Sequence, residues 1–123
     1  MATVLAQKAK SRLRRKKHIR KVVHGTPERP RLVVYRSLRQ VYAQLVDDVS
    51  GRTITGVSSL SPDLKDTLVN KKPAEICTLV GEACARKAMA INIKQVVFDR
   101  NGFPYHGRVK AIAEGARKGG LQF

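Results

Sequence analysis

The chain has 123 residues, of which 25 are Lys or Arg and 9 are Asp or Glu, so its formal net charge at pH 7 is +16. The length suits one domain, and the 42% of hydrophobic residues are enough to fill a core. No stretch approaches the ~18 consecutive apolar residues of a membrane span. The composition therefore excludes a membrane protein, disfavours a multidomain enzyme and favours a small domain that binds an acidic polymer.

The basic residues are concentrated at the N-terminus. Residues 1–27 contain nine basic residues and no acidic one. The nine are Lys8, Lys10, Arg12, Arg14, Arg15, Lys16, Lys17, Arg20 and Lys21. Because like charges repel at helical spacing, we expect this basic arm to fray alone and to order when a polyanion neutralises it. A tail that only aids solubility is the plainer alternative, and a transit peptide is disfavoured because the arm is rich in Lys and has a single Ser.

A Gly and two Pro residues within residues 25–30 break any helix that starts in the arm. We therefore predict two parts, the basic arm over residues 1–27 and a single domain over residues 28–123. Residues 59–72 within that domain are polar and give no clear pattern.

Three β-branched runs open the predicted domain. They indicate strands over residues 31–36, 41–47 and 52–57. Val41, Ala43 and Leu45 alternate along the second strand and are expected on one buried face. Because turn-forming residues separate the second and third strands, we expect these two to pair in antiparallel fashion.

A helix is predicted from Pro73 to about Asn92, since proline suits the first helical position. The 3–4 spacing of small and apolar residues gives it one buried face. That face consists of Cys77, Val80, Gly81, Cys84, Ala88 and Ile91. The two cysteines would lie roughly 10 Å apart along the helix, too far for a disulfide, so we read them as small buried hydrophobes. Glu82 and Arg86 are expected to pair on the outer side.

The rest of the chain predicts a buried strand over residues 95–99, a loop over residues 100–107 and a last helix to about Lys118. The inner residues of this last helix are expected to be Val109, Ile112, Ala113 and Ala116. Strand, helix and strand in this order indicate a crossover connection with helices packed on the sheet. The fold class is therefore α/β.

The loop between this strand and the last helix is the densest polar cluster in the domain. It lies at the carboxyl end of a strand and opens a helix, a place that favours binding sites in α/β folds. Free N–H groups at a helix start attract phosphate, and Arg100 and Arg108 can grip phosphate with two hydrogen bonds. Tyr105 and His106 can stack on a base or bond a ribose hydroxyl.

The same loop can equally be a structural turn. In that reading Asp99 accepts hydrogen bonds from backbone N–H groups, Gly102 and Gly107 supply unusual dihedral angles, and Phe103 and Tyr105 pack. Both readings can hold together.

No residue pattern points to catalysis, a cofactor or a small-molecule substrate. Asp99 and His106 have no nucleophile with them, and neither a P-loop nor a dinucleotide-binding motif occurs. The sequence also lacks the aromatic strand motif of RRM domains and a KH-type loop. With only 5% aromatic residues, the chain suits folded, double-helical RNA contacted through phosphate and shape.

Several segments carry a family resemblance. Residues 98–109 (FDRNGFPYHGRV), the final GLQF of residues 120–123, and residues 29–37 (RPRLVVYRS) followed by VYAQ at 41–44 are the distinctive ones. With the basic arm, they resemble bacterial-type large-subunit ribosomal protein eighteen, the 5S rRNA-binding family. The resemblance spans nearly the whole chain, from about Lys10 to Phe123.

The resemblance implies a three-stranded antiparallel meander extended by a further strand, with helices packed on the sheet and a basic, RNA-binding N-terminal helical arm. It implies binding to 5S rRNA and 23S rRNA at the central protuberance, contacts with neighbouring large-subunit proteins, and no enzymatic activity. It also implies a place in the cytoplasmic ribosome, with an organellar ribosome left open.

Carried over by position, the resemblance puts RNA contacts in the arm, the first strand and turn, and the loop. These are Arg12, Arg14, Arg15, Lys16, Arg20, Arg31, Arg36, Ser37, Arg39, Tyr105, His106 and Arg108. The charge pattern and the loop add Lys8, Lys10, Lys17, Lys21, Arg100 and Gly107. Asp99 is expected to be structural. The alternatives are a nucleoid-type coating protein and a free RNA annealer, and a preference for RNA over DNA would discriminate between them and a ribosomal role.

Overall fold

The computed structural model describes residues 3–123 of the chain. Within them it has three helices and four strands. In chain order these are α1 (Val4–Arg20), β1 (Arg31–Arg36), β2 (Val41–Asp47), β3 (Arg52–Ser58), α2 (Pro73–Ala90), β4 (Val97–Asp99) and α3 (Arg108–Lys118). The predicted α/β class is confirmed, and the starts of the three meander strands agree with the sequence pattern.

The strands form one sheet in the order β3-β2-β1-β4. β1, β2 and β3 pair as an antiparallel meander, and β4 is the further strand, parallel to β1. Helix α2 carries the chain from β3 across the meander to β4, so the predicted crossover is confirmed. Residues 59–72 between β3 and α2 form a series of turns, with Leu64 buried.

The core lies between one face of the sheet and the pair α2 and α3. Leu32 and Val34 of β1 and Val41, Ala43 and Leu45 of β2 are buried on this face. The alternation along β2 therefore matches the prediction, which was made for that strand alone. The four inner residues predicted for α3 are all buried as well. Burial of this apolar surface is the main stabilising contribution to such a fold.

Three local predictions differ from the structure. Ile91 is 49% exposed because α2 ends at Ala90, and Ile93 is buried instead. Glu82 pairs across the helix interface with Lys118 of α3, at 3.3 Å, and not with Arg86. The last strand begins at Val97, since Gln95 instead forms an isolated bridge with Gln122 near the C-terminus.

The two cysteines are free and buried in α2, as predicted. Burial disfavours the charged thiolate and raises the pKa of Cys84 to about 12, with a small opposing effect of Lys87. At neutral pH both thiols therefore act as small apolar core groups.

Candidate nucleic-acid interface

Helix α1 is the most basic element, and none of its side chains is buried. Thr3 accepts a hydrogen bond from the Ala6 N–H at 3.1 Å, which caps its N-terminus. Its last turn carries basic side chains, which interact favourably with the negative end of the helix dipole. The arm therefore forms a regular helix, where we expected a segment that frays until a polyanion is bound.

The middle of α1 rests on the loop that follows β4. Arg12 Nε donates a hydrogen bond to the Asn101 carbonyl at 3.1 Å, and Arg15 Nε donates to the Gly102 carbonyl at 2.9 Å. The Arg12 guanidinium also lies 4.1 Å from the centre of the Phe103 ring, a cation–π contact. Gly102 has φ +79°, and a Cβ atom there would stand 2.6 Å from the Arg12 carbonyl oxygen. The helix backbone and this loop therefore pass very close together.

The end of α1 is anchored by Asp48, which follows β2. Its carboxylate accepts hydrogen bonds from Arg20 at 3.0 Å, Arg31 at 2.9 Å and the Gly25 N–H at 2.7 Å. Burial alone would raise the pKa of Asp48, but these donors, Arg31 first, hold it well below its ordinary value. Asp48 lies between β2 and β3, in the segment that the sequence indicated only as turn-forming. Sequence gives no local sign of this role, because two of the three donors lie more than 20 residues upstream.

Arg31, a predicted RNA contact, lies between two carboxylates. Its side chain is 12% exposed, and its guanidinium bonds both Asp48 and the fully buried Asp99, the latter at 2.7 Å. Burial opposes the charge on Arg31, but the two carboxylates outweigh it and raise its pKa. The guanidinium is thus engaged within the protein by two carboxylates, and its contact with RNA stays a prediction.

The loop itself has the geometry of a structured turn. Asp99 accepts a hydrogen bond from the Asn101 N–H at 2.8 Å, and it is buried, so its structural role is confirmed. Asn101, Gly102 and Gly107 have positive φ values of 57°, 79° and 59°. Arg100 Nη1 donates to the Phe103 carbonyl at 3.0 Å and closes the turn.

The loop also presents a free polar surface. The stretch Tyr105, His106 and Gly107 is exposed. The ring of Tyr105 meets Phe98 edge-on, with centroids 5.8 Å apart, which orients it without covering it. Gly107 opens α3, whose first turn has no capping side chain. The N–H groups at this helix start are thus left for a ligand or solvent.

Arg108 joins this loop to the β1–β2 turn. Its Nη1 donates to the Ser37 carbonyl at 3.1 Å, and the Ser37 hydroxyl in turn accepts from the Gln40 N–H at 3.1 Å. Arg36 lies over Phe103, 5.0 Å from its centroid, and Arg39 is exposed at the tip of the turn. The predicted sites on the arm, the turn and the loop are therefore neighbours on one surface.

The remaining predicted contacts lie along α1 and its end. Lys8, Lys10, Arg14, Lys17 and Lys21 are exposed, and Lys16 is half-buried. None of these six forms an ion pair with a carboxylate of the described part of the chain. Their positive charge is uncompensated, which is what an anion-binding surface requires.

Residues 3–123 contain neither a metal-ligand cluster nor a membrane-spanning helix. No group of three or more His, Cys, Asp or Glu side chains stands close enough there to hold a metal ion. No helix of this part of the chain has both the length and the apolarity needed to cross a bilayer.

Comparison with known proteins identifies the family. Residues 6–123 match the model of ribosomal L18 of archaea, bacteria, mitochondria and chloroplast. A large ribosomal subunit protein uL18 from Dictyoglomus turgidum is 50% identical over 122 residues, which cover 98% of this chain and all of that protein. The proteins of the same name from Myxococcus xanthus and Chloroherpeton thalassium are 53% and 54% identical, over 94% and 91% of this chain and 98% and 92% of their own lengths. The chain therefore belongs to the ribosomal L18 family, whose members are structural, non-enzymatic proteins of the ribosome.

Proposed function

We propose that this protein is a structural component of the large ribosomal subunit that binds 5S rRNA and helps attach it to 23S rRNA at the central protuberance. The family supplies the ribosomal role, and the relatives' name specifies the large subunit. The resemblance of the loop motif to 5S rRNA-binding proteins supplies the identity of the RNA. Neighbouring large-subunit proteins are further partners, in the ribosome of the cytoplasm.

One observation carries the proposal: the arm, the β1–β2 turn and the loop before α3 form a single basic surface. Arg12 and Arg15 connect the arm to the loop, and Arg108 connects the loop to the turn. A surface joined in this way can contact phosphates over a long path of double-helical RNA. The uncompensated basic side chains of α1 would neutralise those phosphates.

The loop suits a different task, the choice of register on the RNA. Tyr105 and His106 are exposed side chains that can stack on a base or bond a ribose 2′-hydroxyl. The start of α3 offers backbone N–H groups to a phosphate. Because these groups sit on a turn that internal hydrogen bonds close, they can select one RNA geometry where a flexible polycation could not.

A competition titration tests the proposal. Labelled 5S rRNA is titrated with the full chain at physiological salt, and unlabelled tRNA or duplex DNA is added in excess. Tight binding that survives both competitors is the expected result. If tRNA and duplex DNA both displace the labelled 5S rRNA, the protein coats or anneals nucleic acids non-specifically. That result would overturn the 5S assignment.

The salt dependence of the same titration counts the phosphates involved. If about eight phosphates are neutralised, the slope of log K against log salt is roughly −6 to −7. A slope near −2 would mean that α1 is not engaged with the RNA.

The variant Arg108→Ala tests the loop. We expect 5S rRNA affinity to fall by about 1–3 kcal/mol, the usual loss for a hydrogen bond made by a charged group. Lys110→Ala is the matched control, because Lys110 lies two residues further along the same helix and pairs weakly with Glu114 at 3.9 Å. Wild-type affinity in Arg108→Ala would mean that Arg108 has only its structural contact with the β1–β2 turn.

A further inference from the structure

The sheet has a second face, opposite α2 and α3, and a pocket of about 330 Å³ opens on it. This sheet-face pocket is lined by Val33, Val34, Tyr35, Tyr42, Gln44 and Asn101. Val33 stands opposite Gln44, and Tyr35 opposite Tyr42, in the β1–β2 ladder, so these four side chains project from the same face. Its volume is at the lower end of the range for small-molecule sites, which suits a ligand group about the size of one base.

Asn101, one of the residues that line this pocket, carries an unpaired acceptor. Asn101 is 6% exposed, and its Oδ1 atom is buried and accepts no hydrogen bond from residues 3–123. The backbone around it is fixed, since its N–H donates to Asp99 and its carbonyl accepts from Arg12. A buried acceptor left unpaired costs about 1–3 kcal/mol, so its presence on a pocket wall points to a donor that arrives with a ligand.

The other walls suit a flat aromatic group. The rings of Tyr35 and Tyr42 are 5.9 Å apart and inclined at 48°. Arg12 lies 5.4 Å from the centre of the Tyr35 ring, so positive charge borders the pocket. No carboxylate lines it. Aromatic faces with a side-chain amide are the combination by which proteins recognise unstacked bases, through stacking and hydrogen bonds to the base edge.

We propose that the sheet-face pocket takes one unstacked nucleobase of the bound RNA. An N–H group of that base donates to Asn101 Oδ1, and its ring lies against Tyr35 and Tyr42. Gln44, exposed on the opposite side, offers a second amide to the same base. The inference rests on the proposed function, and it assigns sequence readout to the sheet while the arm supplies affinity for phosphate.

The test compares Asn101→Gly with the wild-type chain in complex with 5S rRNA. Glycine accepts the positive φ of this position and removes the amide. We expect affinity to fall about tenfold with an unchanged salt slope, because a base contact is lost and phosphate contacts are kept. Chemical probing of base edges should show one base protected by the wild type and exposed in the variant.

Asn92→Gly is the matched control, because Asn92 has nearly the same φ, 62°, in an exposed turn after α2. If Asn101→Gly does not fold, as judged by circular dichroism, Gln44→Ala and Tyr42→Leu provide the same comparison. In one outcome the wild type selects 5S rRNA while the pocket variants keep its affinity and its base protection. That result would overturn the inference and leave the proposed function standing. A wild type that does not select 5S rRNA would overturn both.

Discussion

Helices α1 and α2 have nearly the same length, 17 and 18 residues, but different contacts hold them to the molecule. α2 buries seven residues against the sheet and α3, whereas α1 buries none. α1 is attached by Arg12, Arg15 and Arg20, through two backbone carbonyls and one carboxylate. Salt has little effect on apolar burial, whereas it screens in part the charged contacts of α1, which are only partly buried. Helix α1 is thus held mainly by polar and charged contacts, together with the stacking of the Arg12 guanidinium on the Phe103 ring.

The largest effect is expected in the core. Leu45→Ala removes a fully buried side chain from the face of β2 that meets the helices. The free energy of unfolding should fall by about 3 kcal/mol, because the variant loses apolar burial and leaves a cavity. Urea denaturation monitored by circular dichroism measures this free energy of unfolding. Leu13→Ala is the counterpart on α1, where the side chain is 52% exposed, and it should change stability by less than about 0.5 kcal/mol. Similar losses in both variants would contradict the comparison.

The next effect concerns the anchor of α1. Asp48→Asn removes the negative charge that Arg20 and Arg31 share, and it leaves Arg31 paired with Asp99 alone. Breaking a mostly buried pair of this kind should cost about 3 kcal/mol of unfolding free energy. Glu114→Gln is the control, since its long contact with Lys110 is exposed and should be worth under about 0.5 kcal/mol. An Asp48 variant as stable as the Glu114 variant would mean that the anchor is dispensable.

The same carboxylate predicts a pH dependence. The pKa of Asp48 in the folded chain lies below its ordinary value of 3.8, so the unfolded state binds the proton first as pH falls. The stabilisation by Asp48 is therefore complete above about pH 5 and is lost progressively as pH falls below 3.8. Urea midpoints measured between about pH 6 and about pH 2.5 should fall more steeply for the wild type than for Asp48→Asn. If the urea midpoints of the two proteins fall in parallel with pH, Asp48 is not the source of the acid sensitivity.

The smallest expected effect is the difference in stability between two glycine variants. It distinguishes backbone strain from a clash with α1. Gly102→Ala puts a Cβ at positive φ and 2.6 Å from the Arg12 carbonyl, so stability should fall by about 2 kcal/mol. Gly51→Ala is the control, because Gly51 has φ +71° and nothing within 4 Å of the added Cβ. Its loss should be about 1 kcal/mol, from strain alone. Thermal unfolding of both variants gives the difference, and equal losses would mean that α1 yields to the extra methyl group.

Much of the core could be predicted because its signals are local. A β-branched run located β1, alternating residues located the buried face of β2, and helical spacing located the buried faces of α2 and α3. Two predictions failed for different reasons. Glu82 pairs with the distant Lys118 because α3 packs beside α2, and Ile91 is exposed because the helix ends at Ala90, two residues before the predicted end.

The candidate site was predictable in its residue types and not in its assembly. Charge density marked the arm, and the run of polar residues marked the loop. Nothing in the local sequence shows that Arg12 and Arg15 contact carbonyls almost 90 residues away. The pairing of Arg31 with both Asp48 and Asp99 is equally non-local, and it engages within the protein an arginine that the sequence places among the RNA contacts.

The most direct measurement is hydrogen–deuterium exchange of residues 4–20 in the free protein at low and at high salt. If arginine contacts hold α1 on the domain, its amides should be protected by at least about tenfold at low salt, since a charged helix of this length is marginal alone. Protection should fall at high salt and in Asp48→Asn, while the amides of α2 remain unchanged. Unprotected α1 amides at low salt, or protection that salt does not alter, would contradict this picture of the arm.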